Sequence, residues 1–317
     1  MYSAKGQECD DLISLRDWLR YAVSRFSAAK LAYGHGTDNA IDEAAFLLLS
    51  VLNLPAGQLE PWLDCRLTGE ERRRFLEVIE KRIATRKPAP YLVNTAWIQG
   101  RRFYVDERVI VPRSYIGELL CCGGLTPLIT APDKVRSVLE LCTGSGCLAI
   151  LAAQTFPAAQ ITAIDISEHA LQVATQNVDD YTMRSRVSLI QSDLFSNVPS
   201  ERYDIVLANP PYVTSDTVCA FPPEYRAEPE IAHNGGPDGL MLVRRILDYA
   251  PQYLERNGVL IVEIGQARDA LENAYPHLPF MWLDTEASEG EVFALYAEDF
   301  QTKKTEKTSK AKRKSPV

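Results

Sequence analysis

The sequence predicts an α/β protein, with an open, mostly parallel sheet covered by helices on both faces and a small helical domain and a hairpin in front of it. Three observations carry that expectation. Helical periodicity alone marks roughly the first 86 residues. A cluster containing Pro88 and Pro90 then breaks the pattern. From Val135 onward, short apolar runs alternate with amphipathic or apolar helical stretches.

Taken in order, Leu15, Trp18, Leu19, Ala22, Val23 and Phe26 recur at three- and four-residue steps, which places them on one helical face. A second helix is expected after Asp38, through Ala44, Phe46, Leu47 and Val51. Thr68 and Glu71 have the spacing of a capping box and announce a third. Residues 97–105 read as a hairpin turning at Gly100. Strands are expected at 137–141, 160–164, 187–190, 204–208 and 259–264. Helices are expected at 147–156, 167–179 and 240–256, the last closed by Asn257 and Gly258. Segments 281–284 and 291–296 add a closing pair of strands, one of them antiparallel.

Composition excludes several classes of protein. With 46% hydrophobic and 24% charged residues, a globular core is expected. No apolar run approaches the ~20 residues that span a bilayer. The N-terminus lacks the apolar stretch of a secretory signal, so a cytoplasmic protein is expected. The seven cysteines form no C-x-x-C pair and the four histidines show no ligand spacing, which points to reduced thiols and no metal. A net charge of −8 fits a nucleic-acid binder poorly. The exception is residues 301–317, rich in lysine, which read as a solvated tail or as a weak electrostatic contact to rRNA.

Two motifs carry chemistry. Between the first strand and first helix of the sheet run Glu140, Leu141, Cys142, Thr143, Gly144, Ser145 and Gly146. Glycine suits a sharp turn there and lets a ligand approach the backbone. About 20 residues on, Asp165 ends the next strand, where a carboxylate can accept from both hydroxyls of a ribose. Asp193 can take a proton of an adenine amino group, and Leu194 or Phe195 can cover the ring. An NAD site fits the glycines as well. Against it stands Glu140, which would repel a pyrophosphate but can face an ammonium group or hold the loop. No second mononucleotide half is visible either. S-adenosyl-L-methionine is the expected cofactor.

The second motif is Asn209, Pro210, Pro211 and Tyr212, directly after the fourth strand. Proline lacks an N–H, so this turn offers carbonyl acceptors and few donors. The Asn209 side-chain oxygen and the Pro210 carbonyl can grip the two hydrogens of a planar NH2 group, and Tyr212 can pack on its face. Such a nitrogen is a poor nucleophile, and what helps it is alignment with the methyl donor.

These motifs resemble the class I amino methyltransferases, and the rest of the chain resembles the HemK-like protein-glutamine N5-methyltransferase family. The resemblance rests on Glu140 to Gly146, Asp165 and Asn209 to Tyr212, together with Pro112 and Arg113, Glu228 and Pro229, and the glycines Gly235, Gly236 and Gly239. It implies a Rossmann-like seven-stranded sheet over 116–300, an N-terminal helical substrate-recognition domain over 1–90, a hairpin linker over 91–115 and a basic tail over 301–317. It also implies cofactor contacts from Cys142, Thr143, Gly144, Ser145, Gly146, Asp165, Leu194 and Asn209, with Asn209, Pro210, Pro211 and Tyr212 on the glutamine. Pro112 and Arg113 would shape the substrate channel or simply join the domains. The segment from Pro112 through Ser114 to Glu118 and Leu119 is closer to the branch that methylates large-subunit ribosomal protein L3 than to the release-factor enzymes, although that branch usually has a second proline where Tyr115 stands. The alternatives are a release-factor glutamine, adenine N6 in a nucleic acid, or a non-catalytic ribosome-assembly factor.

Overall fold

A computed structural model of the chain describes residues 11–301, so the basic run from residue 302 lies outside the described residues. The chain forms two compact units. The first gathers the residues up to Ala96 with Val105–Glu107 and Phe221–Glu228. The second takes Trp97–Tyr104, Arg108–Ala220 and the residues from Pro229 on.

The first unit is built on α1 (Leu15–Ala28), α2 (Ala40–Leu52), α3 (Gly69–Thr85) and the short α4 (Ala89–Val93). Ser14 and Asp17 close a capping box at the start of α1, and Thr68 and Glu71 close the expected one at α3. Leu15, Trp18, Ala22 and Phe26 bury one face of α1 against Leu47 and Leu48 of α2 and Phe75 and Ile79 of α3. Leu19 and Val23 lie at the edge of that stripe, only partly buried. Fully burying such a side chain stabilises the fold by about 1.5–3 kcal/mol, so this small core depends on a handful of residues.

Charged groups sit inside this unit as well. Arg82 is fully buried; its Nε donates to Glu43 Oε1 at 2.8 Å and its Nη2 to the Ala32 carbonyl at 3.0 Å. Glu224 Oε1 lies 3.7 Å from Arg82 Nη1 and 2.8 Å from Arg86 Nε, and accepts from the Ala32 N–H at 3.1 Å.

The second unit opens with a two-stranded hairpin, β1 (Ala96–Ile98) and β2 (Arg101–Phe103). Gln99 and Gly100 both have positive φ, 50° and 70°, as a two-residue turn between right-twisted strands requires. Next come α5 (Tyr115–Cys121), β3 (Ser137–Leu141), α6 (Cys147–Thr155), β4 (Gln160–Asp165), α7 (Glu168–Asp180) and β5 (Val187–Gln191). The rest is β6 (Tyr203–Ala208), α8 (Ser215–Cys219), α9 (Met241–Tyr253), β7 (Leu254–Glu263), α10 (Arg268–Ala274), β8 (Met281–Leu283) and β9 (Val292–Tyr296).

The seven-stranded sheet has the order β5-β4-β3-β6-β7-β9-β8. Strands β3 to β7 are mutually parallel, and β9 runs antiparallel to both β7 and β8. From β3 the chain moves outward through β4 and β5, then returns to the other side of β3 at β6. A crevice forms beyond the carboxyl ends of neighbouring strands where the order reverses. Here those ends are Leu141 and Ala208, paired in register. Helix α6 is buried from Cys147 through Ala153, which accounts for its lack of a polar face.

One expected boundary is wrong. The helix expected over 240–256 ends at Tyr253, and Asn257 and Gly258 lie inside β7 rather than at a helix cap. Leu254 is fully buried and pairs with Tyr203, so core burial and sheet pairing override the local Asn-Gly signal. Gly258 serves the strand instead: a Cβ there would lie 2.8 Å from the Tyr203 carbonyl oxygen.

Candidate active site

The loop after β3 is held from below. Glu140 is 1% exposed, and the Thr143 hydroxyl donates to its Oε2 at 2.5 Å. Burial pushes this carboxyl up to about 8, with the Thr143 hydroxyl opposing. Of the two roles open to Glu140 in the sequence, the structure shows the loop-holding one. Cys142, Gly144 and Gly146 all have positive φ, 60°, 56° and 79°, so the turn needs left-handed backbone at each. A Cβ on Gly144 would meet nothing within 4 Å, whereas one on Gly146 would lie 3.1 Å from Ala174 Cβ. The first glycine therefore faces open space and the second serves helix packing.

Asp165, at the end of β4, is pinned by two backbone donors. The Gly144 N–H donates to its Oδ2 at 2.8 Å and the Ser167 N–H to its Oδ1 at 2.9 Å. Burial raises its pKa while those donors pull it back. Each oxygen keeps acceptor capacity beyond the one N–H it binds. Asp193 is ion-paired with Arg245, Oδ1 to Nη1 at 3.0 Å, a partner that the sequence reading lacked. Leu194 adopts φ +47° and lines the crevice. Phe195 does not line it: its ring stacks on Tyr253 at 4.7 Å between centroids and belongs to the core.

The turn after β6 is braced on several sides. The Tyr212 hydroxyl donates to Glu263 Oε1 at 3.1 Å. The Val213 N–H donates to the His233 carbonyl and the Gly235 N–H returns to the Val213 carbonyl, at 2.9 and 2.8 Å. Three glycines crowd Tyr212. A Cβ would lie 2.7 Å from its Cα if built on Gly235, 2.3 Å from its carbonyl oxygen on Gly239, and 2.7 Å from its ring on Gly265.

A cavity of about 750 Å³ lies over these strand ends, within the range of small-molecule sites. Cys142, Gly144, Asp165, Asp193, Leu194, Asn209 and Pro211 line it. Glu140, Thr143, Ser145, Gly146, Pro210 and Tyr212 are not among its lining residues. Ile166, Arg108, Glu230, Asn234 and Arg245 also line it, and no sequence motif had singled them out.

Comparison with known proteins decides the family. The methyltransferase small domain family matches residues 125–220, and the PrmC N-terminal domain family matches residues 17–93. The ribosomal protein uL3 glutamine methyltransferase of Bradyrhizobium diazoefficiens is 52% identical over 91% of this chain and 92% of its own length. The chain belongs to the uL3 glutamine methyltransferase family. The Bordetella pertussis protein of the same name is 51% identical over 92% of this chain and 98% of its own length. Among solved structures, a methyltransferase from Pyrococcus furiosus covers 73% of this chain and 99% of its own at 16% identity, with a TM-score of 0.46.

For this member of the uL3 methyltransferase family, the glycines marked in the sequence gain a physical reason. Gly235 and Gly239, in the stretch that follows the turn, leave room for the Tyr212 backbone. Glu263 had no sequence signal beyond being a carboxylate in an apolar strand, the same signal that drew attention to Glu140.

Proposed function

We propose that this chain transfers a methyl group from S-adenosyl-L-methionine to the side-chain amide nitrogen of a glutamine in large-subunit ribosomal protein uL3. The carrying observation is that Asn209 and Pro211 open onto the same cavity as Cys142, Gly144, Asp165 and Leu194. The residues fit an adenosyl ligand. Gly144 leaves open space where a side chain would intrude, Asp165 is pre-aimed by two N–H donors, and Leu194 and Ile166 offer apolar surface. Bound there, S-adenosyl-L-methionine supplies a methyl group on a positively charged sulfur.

The chain's own residues do the rest. An amide nitrogen is unreactive because its lone pair is delocalised into the carbonyl. In this reading the Asn209 side-chain oxygen and the Pro210 carbonyl accept its two hydrogens and fix the amide plane. Fixing two reactants in line replaces an encounter in solution, with effective molarities that reach about 10⁵ M or more. The same two oxygens stabilise positive charge as it builds on the nitrogen. In this reading the Tyr212 ring, set against Gly265, gives the planar amide a face to pack on.

The substrate reading is supported by the relatives, which are uL3 glutamine methyltransferases. The Lys-rich residues beyond 301 add a weak rRNA contact in this reading, and the reaction takes place in the cytoplasm. Among the described residues, no helix is long and apolar enough to cross a membrane. The test is transfer of labelled methyl to purified uL3, a release factor and rRNA side by side. Label on uL3 is expected, and label confined to either other substrate overturns the assignment. Asn209→Ala is expected to lower transfer by about 10²–10³ while cofactor affinity, measured by calorimetry, stays within a few-fold. Normal turnover in that variant would remove the turn from the mechanism.

A further inference from the structure

Glu263 is the last residue of β7 and is 1% exposed. Its Oε1 accepts from the Tyr212 hydroxyl at 3.1 Å, and its Oε2 from the Ser114 hydroxyl at 2.6 Å and the Tyr115 N–H at 3.0 Å. All three donors are neutral. Burying a carboxylate on such donors is unfavourable for stability, and an apolar residue of similar volume would serve the core better. The group nonetheless lies at the carboxyl end of a parallel strand, where ligands of open sheets bind. It also holds the hydroxyl of Tyr212, whose ring already lies against Gly265.

We propose that Glu263 is a positioning residue for methyl transfer, tying Tyr212 of the catalytic turn to the Pro112–Arg113–Ser114 segment so that the turn's acceptors hold the substrate amide in line; this rests on the methyl-transfer reading above. It gives Ser114 a role as a strut for the turn. Without the carboxylate, the hydroxyl end of Tyr212 loses its anchor while the close packing of Gly235 and Gly239 on its backbone remains.

A pH dependence accompanies this geometry. Burial raises the Glu263 carboxyl to about 7, with the hydroxyls of Ser114 and Tyr212 opposing. The titratable and charged groups around it are Tyr212 on the turn, Tyr115 on α5, Arg113 before it, and Glu291 before β9. Burial and the Glu263 charge push Tyr212 well above the ordinary tyrosine range, so it stays a neutral donor. Protonating Glu263 puts a hydrogen where donors already point, and a contact is lost.

The test compares Tyr212→Phe, Ser114→Ala, Glu263→Gln and the Tyr212→Phe/Glu263→Gln pair in the full-length enzyme with uL3. Tyr212→Phe and Glu263→Gln are each expected to lower kcat by about 10- to 100-fold, with cofactor affinity unchanged. The double variant is expected to be no worse than the weaker single one. Wild-type kcat should rise through an apparent pKa near 7, and Glu263→Gln should lack that limb. The infrared band of the protonated carboxyl supplies a readout independent of turnover. Its titration midpoint should move up in Tyr212→Phe, because a donor that favours the carboxylate is gone. An active wild type with unchanged kcat in Tyr212→Phe, or additive losses tracking thermal stability and cofactor binding, overturns the proposal alone. A wild type that methylates nothing defeats the methyl-transfer reading and takes the proposal with it.

Discussion

Both units bury carboxylates, but they satisfy them differently. In the helical unit Glu43 and Glu224 face the guanidinium groups of Arg82 and Arg86. In the sheet unit Glu140 receives the Thr143 hydroxyl, and Glu263 receives two hydroxyls and an N–H. The first arrangement neutralises charge and works as a clasp between distant parts of the chain, from residue 43 to residue 224. The second offers only neutral hydrogen-bond donors, and burial raises both carboxyls, to about 8 and about 7. Groups perturbed in this way gather at reactive sites. Here they stand behind the glycine loop and the proline turn.

Breaking the clasp should have the largest effect on stability. Arg82→Met leaves Glu43 buried with its cation gone, while Glu224 keeps Arg86, and the change costs about 3–5 kcal/mol. Urea denaturation checks this, and replacing Glu43 by an apolar residue in the same chain should restore much of the loss. Gly239→Ala comes next. Its φ is +76° and the new Cβ would lie 2.3 Å from the Tyr212 carbonyl oxygen. A loss of about 1–3 kcal/mol is expected, together with loss of methyl transfer. Gly144→Ala, at φ +56° but facing open space, should lose about 1 kcal/mol and show its main defect in cofactor affinity measured by calorimetry.

The last effect is a slope with pH. Glu140 and Glu263 both sit above their ordinary value of 4.5 in the folded chain. Between that value and about 8 the native state keeps protons that the unfolded state has released. Their contribution to stability is therefore full at low pH and declines as pH rises through about 7 and then about 8. The decline amounts to at most about 1.4 kcal/mol per pH unit for each group. A melting midpoint that falls from pH 6 to 8.5 is expected, with a shallower fall in Glu140→Gln. A midpoint that climbs over that window contradicts the assignment of these two groups.

Much of this was legible without coordinates. The capping box at Thr68 and Glu71, the hairpin turn at Gly100 and the alternation of strands and helices are local signals, and the chain obeys them. The glycines after β3 and the proline turn after β6 were legible as well, because backbone that must turn sharply or lack an N–H restricts which residues are tolerated. Where local signals competed with burial, burial won. Asn257 and Gly258 read as a helix stop but lie in β7, since Leu254 gains more from the core than the helix gains from a cap.

What the amino-acid order alone determined is the set of elements and the chemical types available at their ends. The partners of those groups were decided only by tertiary structure. Asp193 meets Arg245, Phe195 turns into the core, and Glu263 collects Tyr212, Ser114 and Tyr115 from positions 51 to 149 residues away. Propensity and periodicity act over a few residues along the chain, whereas hydrogen bonds and ion pairs act over a few ångströms in space. Only packing of the sheet and its helices converts one kind of neighbour into the other.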